Sequence, residues 1–375
     1  GAFDNNDFIV FIDAFFNAAV QGEERVIRAF AENPVGVTTK MMAAITLPSI
    51  LLYLNNREDP RWRQIPRWQK DLFWIVFTDD HIYRIPKPHS AGIMFGSLPE
   101  RMLEAYESDH PGAMKDLEKS ILSTFIPNMI PTIAAPIADQ FANRSLFTGA
   151  PLIPAEQEKM LPEYQYTEYT TELAKAIGQI MGAFPGMRDR SIRDEDTFIG
   201  GVVRALTTPI LVENYVRSWT GGLGMYTLQL ADKALREAGV LPDPVKPLDT
   251  LADLPVIKAF VVRYPSASAQ SIQDFYDDYY AKKRLYDTKM ALAKEGDIDA
   301  FERVQQIDPT AWDEMAGIRD TITDQAKLIR LIYKNPDMTP EDKRQIIDTT
   351  YGRMIELAEV GNQALRDLEK LLGEQ

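Results

Sequence analysis

Residues able to carry out acid–base or metal chemistry are few and scattered in this sequence. The three histidines, His81, His89 and His110, all lie in turn-like contexts, and no two have the spacing of an H-x-x-x-H pair. Zinc sites usually combine closely spaced His and Cys ligands, and the chain has no cysteine. We therefore expect no metal site, no cofactor, no disulfide and no cysteine nucleophile.

Two acidic runs are the remaining candidates for chemistry. Asp194-Glu195-Asp196 and Asp277-Asp278 are adjacent residues, which point to different faces of a helix, so they are typical of solvated or capping positions. Gly222-x-Gly224 lacks the third glycine of a dinucleotide fingerprint. We assign no catalytic residue and predict that the chain is not an enzyme. Because acidic residues can act as general acids or bases, a hydrolase activity of these two runs is kept as an alternative.

A basic and aromatic segment is the strongest candidate for contact with a membrane or a partner. It follows an uncharged run from Met41 to Leu54, and its members are Arg61, Trp62, Arg63, Arg67, Trp68, Lys70 and Trp74. Trp beside Arg or Lys at the end of an apolar helix is typical of a membrane interface. The run is shorter than the roughly 20 apolar residues of a bilayer span. We therefore favour a buried core helix followed by Arg–Trp stacking, and a membrane-inserting or interfacial segment is the alternative.

The elements that must position these residues are mostly helices. Apolar periodicity and end signals predict a mainly α fold, a multi-helix bundle-like array with one small β-hairpin at about 74–85 and Pro-rich extended straps. Helices are predicted at 7–32, 35–54 with a kink at Pro48, 99–108, 169–183, 196–206, 210–238, 269–294 and 298–306. The straps are predicted at 143–166 and 239–255, and kinked packing at 117–140.

Two further helices near the C-terminus carry matched heptad stripes. One stripe consists of Trp312, Met315, Arg319, Ile322, Ala326, Ile329 and Tyr333. The other consists of Ile347, Tyr351, Met354, Ala358, Gly361, Leu365, Leu368 and Leu372. This spacing predicts an antiparallel, coiled-coil-like hairpin whose second helix begins at Thr339-Pro340. The spacing leaves open whether the hairpin closes on itself or bundles with other subunits.

Length and charge limit the organisation and the partners. A chain of 375 residues is long for one core, so we predict an N-terminal region 1–142, a middle region 143–265 and a C-terminal region 266–375. The net charge of −14 disfavours general coating of nucleic acid, and no sequence-specific binding is expected. Gly1 in place of Met suggests an excised domain or a processed fragment.

Several short stretches, taken in order, resemble a known family. They are residues 15–22, the segment Ile85-Pro86-Lys87-Pro88 with Phe95 to Arg101, Asn143-Arg144 with Gly149 to Pro151, Glu213 to Tyr215 with Gly221 to Gly224, and Asp253 to Phe260. Across about residues 5–290 this order resembles the large polyvalent protein associated class, found near the C-terminal part of giant phage and mobile-element proteins. Similar stretches occur in internal virion (ejection) proteins of short-tailed phages.

The resemblance implies a role in delivering phage DNA to the host rather than a catalytic role. Such giant proteins are packaged in the capsid and enter the host with the DNA, so the implied role is a non-catalytic module of an ejection protein contributing to the conduit at the host envelope. The alternative is a rigid docking domain that organises neighbouring enzymatic domains. The signature positions carried over are structural: Gly22, Pro86, Pro88, Gly92, Gly96, Pro99, Glu100, Asn143, Gly149, Pro151, Gly221, Gly224 and Pro255.

The same resemblance implies the binding partners of the chain and its location. The expected partners are other copies of the chain or other virion proteins, with transient contact to the host membrane. The expected location is the virion, inside the capsid or near the tail, and then the host envelope or cytoplasm after infection.

Overall fold

The computed structural model describes residues 28–107, 139–140, 143–145, 151–184, 198–307 and 309–372. Within these ranges the fold is mainly helical with a small antiparallel sheet, as predicted. The named elements, in chain order, are α1 (Pro34–Met41), α2 (Leu47–Asn56), α3 (Pro60–Gln64), α4 (Arg67–Leu72), β1 (Phe73–Phe77), β2 (Ile82–Pro86), α5 (His89–Gly92), α6 (Leu98–Glu107), α7 (Ala155–Glu158), α8 (Glu172–Ala183), α9 (Phe198–Thr207), α10 (Pro209–Glu237), β3 (Val261–Val262), α11 (Gln270–Lys294), α12 (Ile298–Gln305), α13 (Pro309–Lys334) and α14 (Pro340–Leu372).

The chain divides into two compact units. The first comprises residues 1–40, 122–244 and 253–258, and the second comprises residues 41–121, 245–252 and 259–375. The three-region division proposed from sequence stays a prediction.

Two helices of the second unit each follow a π-helical turn. A π-helical turn, Met42–Thr46, leads into α2, and a second, Ile93–Ser97, leads into α6. Each turn is followed by Leu-Pro, at Pro48 and Pro99. Proline has no N–H for the usual helical hydrogen bond, and the wider turn before it accommodates that loss without ending the helix. The predicted helix at 35–54 is therefore confirmed, whereas the start predicted at Pro99 is wrong because the helix already begins at His89.

The predicted hairpin is confirmed and gains a third strand. β1 pairs antiparallel with β2 in the register Phe73↔Pro86 to Phe77↔Ile82. β3 then pairs antiparallel with β2 through Ile82↔Val262 and Tyr83↔Val261. Two residues of strand carry too little periodicity to be recognised in sequence, so β3 was missed.

The C-terminal hairpin is confirmed, and a third helix completes its core. Ile322 and Leu365 of the two stripes are fully buried, as is Phe275 of α11. Gly361 interrupts the apolar stripe of α14 because a Cβ there would collide with the Phe275 ring. At the hairpin turn the Thr339 hydroxyl accepts a hydrogen bond from the Asp342 N–H at 3.1 Å, the predicted N-cap.

The first unit is built on α8, α9 and α10, whose predicted positions are confirmed. The N-terminus of α8 is capped by two acids of α10: Glu213 accepts from the Thr171 N–H at 2.8 Å, and Asp232 accepts from the Leu173 N–H at 2.7 Å. Gly221 has φ +64° and breaks the helical geometry inside α10. Such a conformation favours glycine.

The straps are confirmed in part. Residues 242–250 have no helix or strand, as predicted for 239–255. The strap predicted over 143–166 is wrong where α7 and the 3-10 turn Pro162–Tyr164 form. Pro162 is the first residue of the 3-10 turn, where its fixed φ suits the geometry, and Pro154 directly precedes α7. Most of the segments predicted at 117–140 and at 7–32 lies outside the described residues.

Candidate functional site

The basic and aromatic segment is divided between the interior and the surface of the second unit. Trp62 is buried, with 6% exposed, whereas Trp68 is 51% exposed. Trp74 is half-buried and its indole N–H donates to the Ser49 hydroxyl at 2.7 Å. Its side chains thus do not form one continuous surface belt. Trp62 instead belongs to the core beside Tyr53 and Ile75.

The first and the last arginine of this segment, Arg61 and Arg67, each form an ion pair. Arg61 donates to Asp59 at 2.7 Å and to the Thr78 carbonyl at 3.0 Å. Arg67 donates to Asp274 of α11 at 3.3 Å. These contacts fix the segment against the hairpin turn and the helical bundle of the same unit.

The signature motif after β2 builds a buried ion pair. Lys87 has a side chain only 1% exposed, and its ammonium donates to Glu100 at 2.8 Å, to the Ser97 hydroxyl at 3.1 Å and to the Lys70 carbonyl at 2.9 Å. Burial lowers the pKa of Lys87 and raises the pKa of Glu100, while their mutual attraction opposes both shifts. Glu100, one of the signature positions, is therefore the counter-ion of Lys87.

Two signature glycines make room for this lysine. A Cβ on Gly92 would lie 2.7 Å from the Cβ of Lys87. A Cβ on Gly96 would lie 2.9 Å from the Ser49 hydroxyl and 3.3 Å from Ile45, so Gly96 lets the two π turns approach closely. The Thr46 hydroxyl donates across this contact to the Phe95 carbonyl at 2.5 Å. The two π turns therefore lie side by side, and the glycines serve packing.

A second buried charge group lies next to the first. Arg101 is 4% exposed and makes two hydrogen bonds to Asp71, at 2.9 and 3.0 Å, and a salt bridge to Glu104. Burial opposes the charge of Arg101, but Asp71 and Glu104 outweigh it and raise its pKa. Burial likewise opposes the charge of Glu104, and Arg101 nonetheless holds its pKa below the usual range. Arg101 and Glu104 are therefore both charged.

Lys70 differs from its neighbours because it has no carboxylate partner among the described residues. It is 5% exposed, and its ammonium lies 4.6 Å from the centre of the Trp62 ring. Burial lowers the pKa of Lys70 to about 7, and the nearby Arg101 adds to the effect. A cation–π contact compensates a buried ammonium only in part.

Lys70 and Trp62 line a cavity of about 1130 Å³ in the second unit. Its walls come from α2 to α4, α6, α11 and α14, and they are largely polar and charged. The lining residues are Tyr53, Arg57, Glu58, Trp62, Arg63, Gln64, Arg67, Lys70, Arg101, Glu104, Glu107, Gln270, Ser271, Asp274, Glu359, Asn362, Gln363 and Arg366. Four of the predicted contact residues, Trp62, Arg63, Arg67 and Lys70, therefore meet at one cavity.

The remaining signature positions have structural roles where they are described. Asn143 has φ +43°, and its side chain accepts from the Ile153 N–H at 3.0 Å. Pro151 forms an isolated bridge with Arg144. Pro86 ends β2, and Pro255 lies in a turn before the short helix Ile257–Ala259. Pro88 precedes α5, Pro99 is the second residue of α6, and Gly224 lies within α10. Gly22 and Gly149 lie outside the described residues.

Of the acid and histidine candidates, the structure describes the side chains of His81, Asp277 and Asp278. Asp277 is exposed and Asp278 pairs with Lys282 at 3.1 Å. His81 lies in the hairpin turn, and its ring makes an edge contact with Tyr83. Over the part of the chain that the structure describes, no three His, Asp or Glu side chains are grouped as metal ligands. His110 and Asp194–Asp196 lie outside those residues.

One helical stretch of the described chain, Pro34–Asn56, is long and apolar enough to cross a membrane by length and composition, and only 11% of its most apolar window is buried. Leu47 and Leu51, which carry no polar group, are 55% and 57% exposed. The expected buried core helix is therefore wrong for this stretch, because a core helix would be mostly buried.

The described part of the chain thus defines a mainly helical domain whose glycine and proline motif encloses buried ion pairs. The sequence profile of large polyvalent protein associated domain 38 matches residues 59–257, more than half of the chain. The chain belongs to this family, and is a domain of the polyvalent proteins of phages and mobile elements. The match is narrower than the 5–290 expected from sequence. No curated protein and no solved structure matches the chain significantly.

Proposed function

We propose that this chain is a non-catalytic structural module of an internal virion protein, packaged in the capsid and contributing to the DNA-delivery conduit at the host envelope. The observation that carries this proposal is the exposed, uncharged surface that runs along α2 and the π turn before it. Met42, Leu47 and Leu51 are each more than half exposed on it. Its partners are then other copies of the chain or other virion proteins, and transiently the host membrane.

Contact between this apolar surface and water is unfavourable. Each large apolar side chain left exposed forgoes roughly 1.5–3 kcal/mol of burial free energy. Residues 41–56 contain no charged side chain, so a lipid interface can accept this face of the helix without burying an ion.

Vesicle co-sedimentation tests the proposal. The wild-type domain should bind vesicles, and the double variant Leu47→Asp/Leu51→Asp should bind much less, because it places two carboxylates on the apolar face. Both residues are exposed, so the fold should tolerate the change. The matched control is Leu331→Asp, since Leu331 of α13 is 69% exposed. Envelope contact through this helix would be contradicted if the wild type did not bind vesicles. It would also be contradicted if Leu47→Asp/Leu51→Asp bound as well as the control Leu331→Asp.

A rigid docking domain within a polyvalent protein is the second candidate function. The observation that favours it is the position of Trp62 and Lys70, which are turned inward rather than presented to a membrane. In that case the same exposed leucines contact neighbouring domains. Limited proteolysis of the longer parent protein would then show protection of the wild-type domain that Leu47→Asp/Leu51→Asp removes, with no vesicle binding in either form.

A further inference from the structure

The cavity beside Lys70 has charges left over after its internal ion pairs are counted. Glu107 pairs with Arg57, Glu104 with Arg101, and Asp274 with Arg67. Glu359 accepts a hydrogen bond from Gln64 at 2.5 Å. Three of the five carboxylates that line the cavity are thereby paired with arginines, and Glu58 and Glu359 are the other two.

Three cations of the cavity wall have no carboxylate partner within the described ranges: Arg63, Lys70 and Arg366. Arg366 donates to the Gln363 side chain at 2.9 Å, and Lys70 faces Trp62. Arg63 is exposed. An unpaired ammonium that is almost fully buried is costly, and structures retain such groups mainly where a ligand or a function compensates them.

We propose that this cavity binds an anionic small molecule of the phosphate or carboxylate class, with Lys70 as its anchor and Arg63 and Arg366 as flanking contacts. The volume of about 1130 Å³ exceeds the roughly 300–1,000 Å³ typical of small-molecule pockets, so a nucleotide-sized ligand fits. The proposal is independent of envelope contact, because the apolar face of α2 does not contribute to it.

Uptake of a proton by Lys70 when an anion binds would distinguish a ligand-binding role of this lysine from a purely structural one. The charged groups around Lys70 are Arg67 and Asp71 on its own helix and Arg101 and Glu104 on α6. Asp274 of α11 and Glu359 and Arg366 of α14 face the same cavity. In the protein without a bound anion, Lys70 is mostly neutral at pH 8 because burial lowers its pKa to about 7. A bound anion favours the ammonium form, so binding at pH 8 should take up close to one proton, about 0.9.

Isothermal titration calorimetry at pH 8, in two buffers of different ionisation enthalpy, measures both affinity and proton uptake. The probes are trimetaphosphate and citrate, because both are fully ionised at this pH. Binding of trimetaphosphate alone assigns the site to phosphate, and binding of citrate alone assigns it to carboxylate. Failure of both probes to bind the wild-type domain at millimolar concentration overturns the proposal.

The variants separate the anchor from its surroundings. Lys70→Met should weaken binding at least tenfold and abolish proton uptake. Arg63→Gln should weaken binding several-fold and retain proton uptake. It also keeps the test valid if Lys70→Met does not fold. Arg353→Gln is the matched control, since Arg353 is exposed on α14 and outside the cavity lining. Affinity unchanged by Arg63→Gln, or equally weakened by Arg353→Gln, contradicts the site.

Discussion

Replacing Lys70 by methionine should change how the stability of this domain depends on pH. Methionine has nearly the same length and carries no charge. In the folded protein burial lowers the pKa of Lys70 to about 7, whereas in the unfolded chain it has its ordinary value of 10.5. Between these two values the unfolded chain binds more protons, so the free energy of unfolding rises with pH in the wild type.

The size of the effect follows from the two pKa values. One proton contributes at most about 1.4 kcal/mol per pH unit, and Lys70 should therefore add about 2 kcal/mol to the free energy of unfolding between pH 7 and pH 9. Below pH 7 the folded protein also holds the proton, so the contribution of Lys70 levels off there. Lys70→Met should remove this pH dependence and should be most stabilising, relative to wild type, at about pH 7 and below.

Urea unfolding curves at pH 6, 7, 8 and 9 measure the effect as the difference between wild type and variant. Lys294→Met is the control, because Lys294 is exposed at the end of α11. It should leave the pH dependence of the wild type unchanged. A Lys70→Met variant that loses stability equally at every pH would refute the reasoning, since its loss would then come from packing against Trp62 and not from an uncompensated ammonium.

Three further predictions concern packing and buried charge. Leu365→Ala should lower the free energy of unfolding by about 2–5 kcal/mol in urea titrations, whereas Val360→Ala on the exposed side of the same helix should change it little; equal effects would place the stripe at a surface. Glu100→Gln leaves Lys87 without its counter-ion and should cost about 3–5 kcal/mol, while Lys87→Met/Glu100→Leu should cost much less by the same measurement; equal losses would mean that packing dominates. Gly361→Ala should lower the thermal unfolding midpoint because its methyl group would meet Phe275, and an unchanged midpoint would show that α11 can move aside.

The sequence was most informative where one helix packs on another with a regular period. The stripes of α13 and α14 could be read directly, because each buried residue recurs at heptad spacing. The contribution of α11 could not, because its apolar pattern is weak and its key residue, Phe275, is matched to a missing side chain at Gly361. A glycine inside an otherwise apolar stripe is the signal that such a third element leaves in the sequence.

The sequence singles out the basic and aromatic segment, but it does not predict how the fold divides the segment between the interior and the surface. Arg and Lys at 61–70 suggested a surface, since charged residues are rarely fully buried. Lys70 and Lys87 are exceptions that only the fold explains, because their surroundings come from α3, α6 and the π turns. Lys87 between two prolines, followed by Gly92 and Gly96, is the pattern that could have indicated a buried lysine.

The side-by-side π turns also set a kinetic order for folding. Thr46 and Phe95, which they bring together, are 49 residues apart in the chain. The C-terminal hairpin, in contrast, closes through the short turn between Lys334 and Pro340. Because loop closure costs more entropy for distant residues and non-local contacts form slowly, the hairpin should form early, and the enclosure of Lys87 should be a late event.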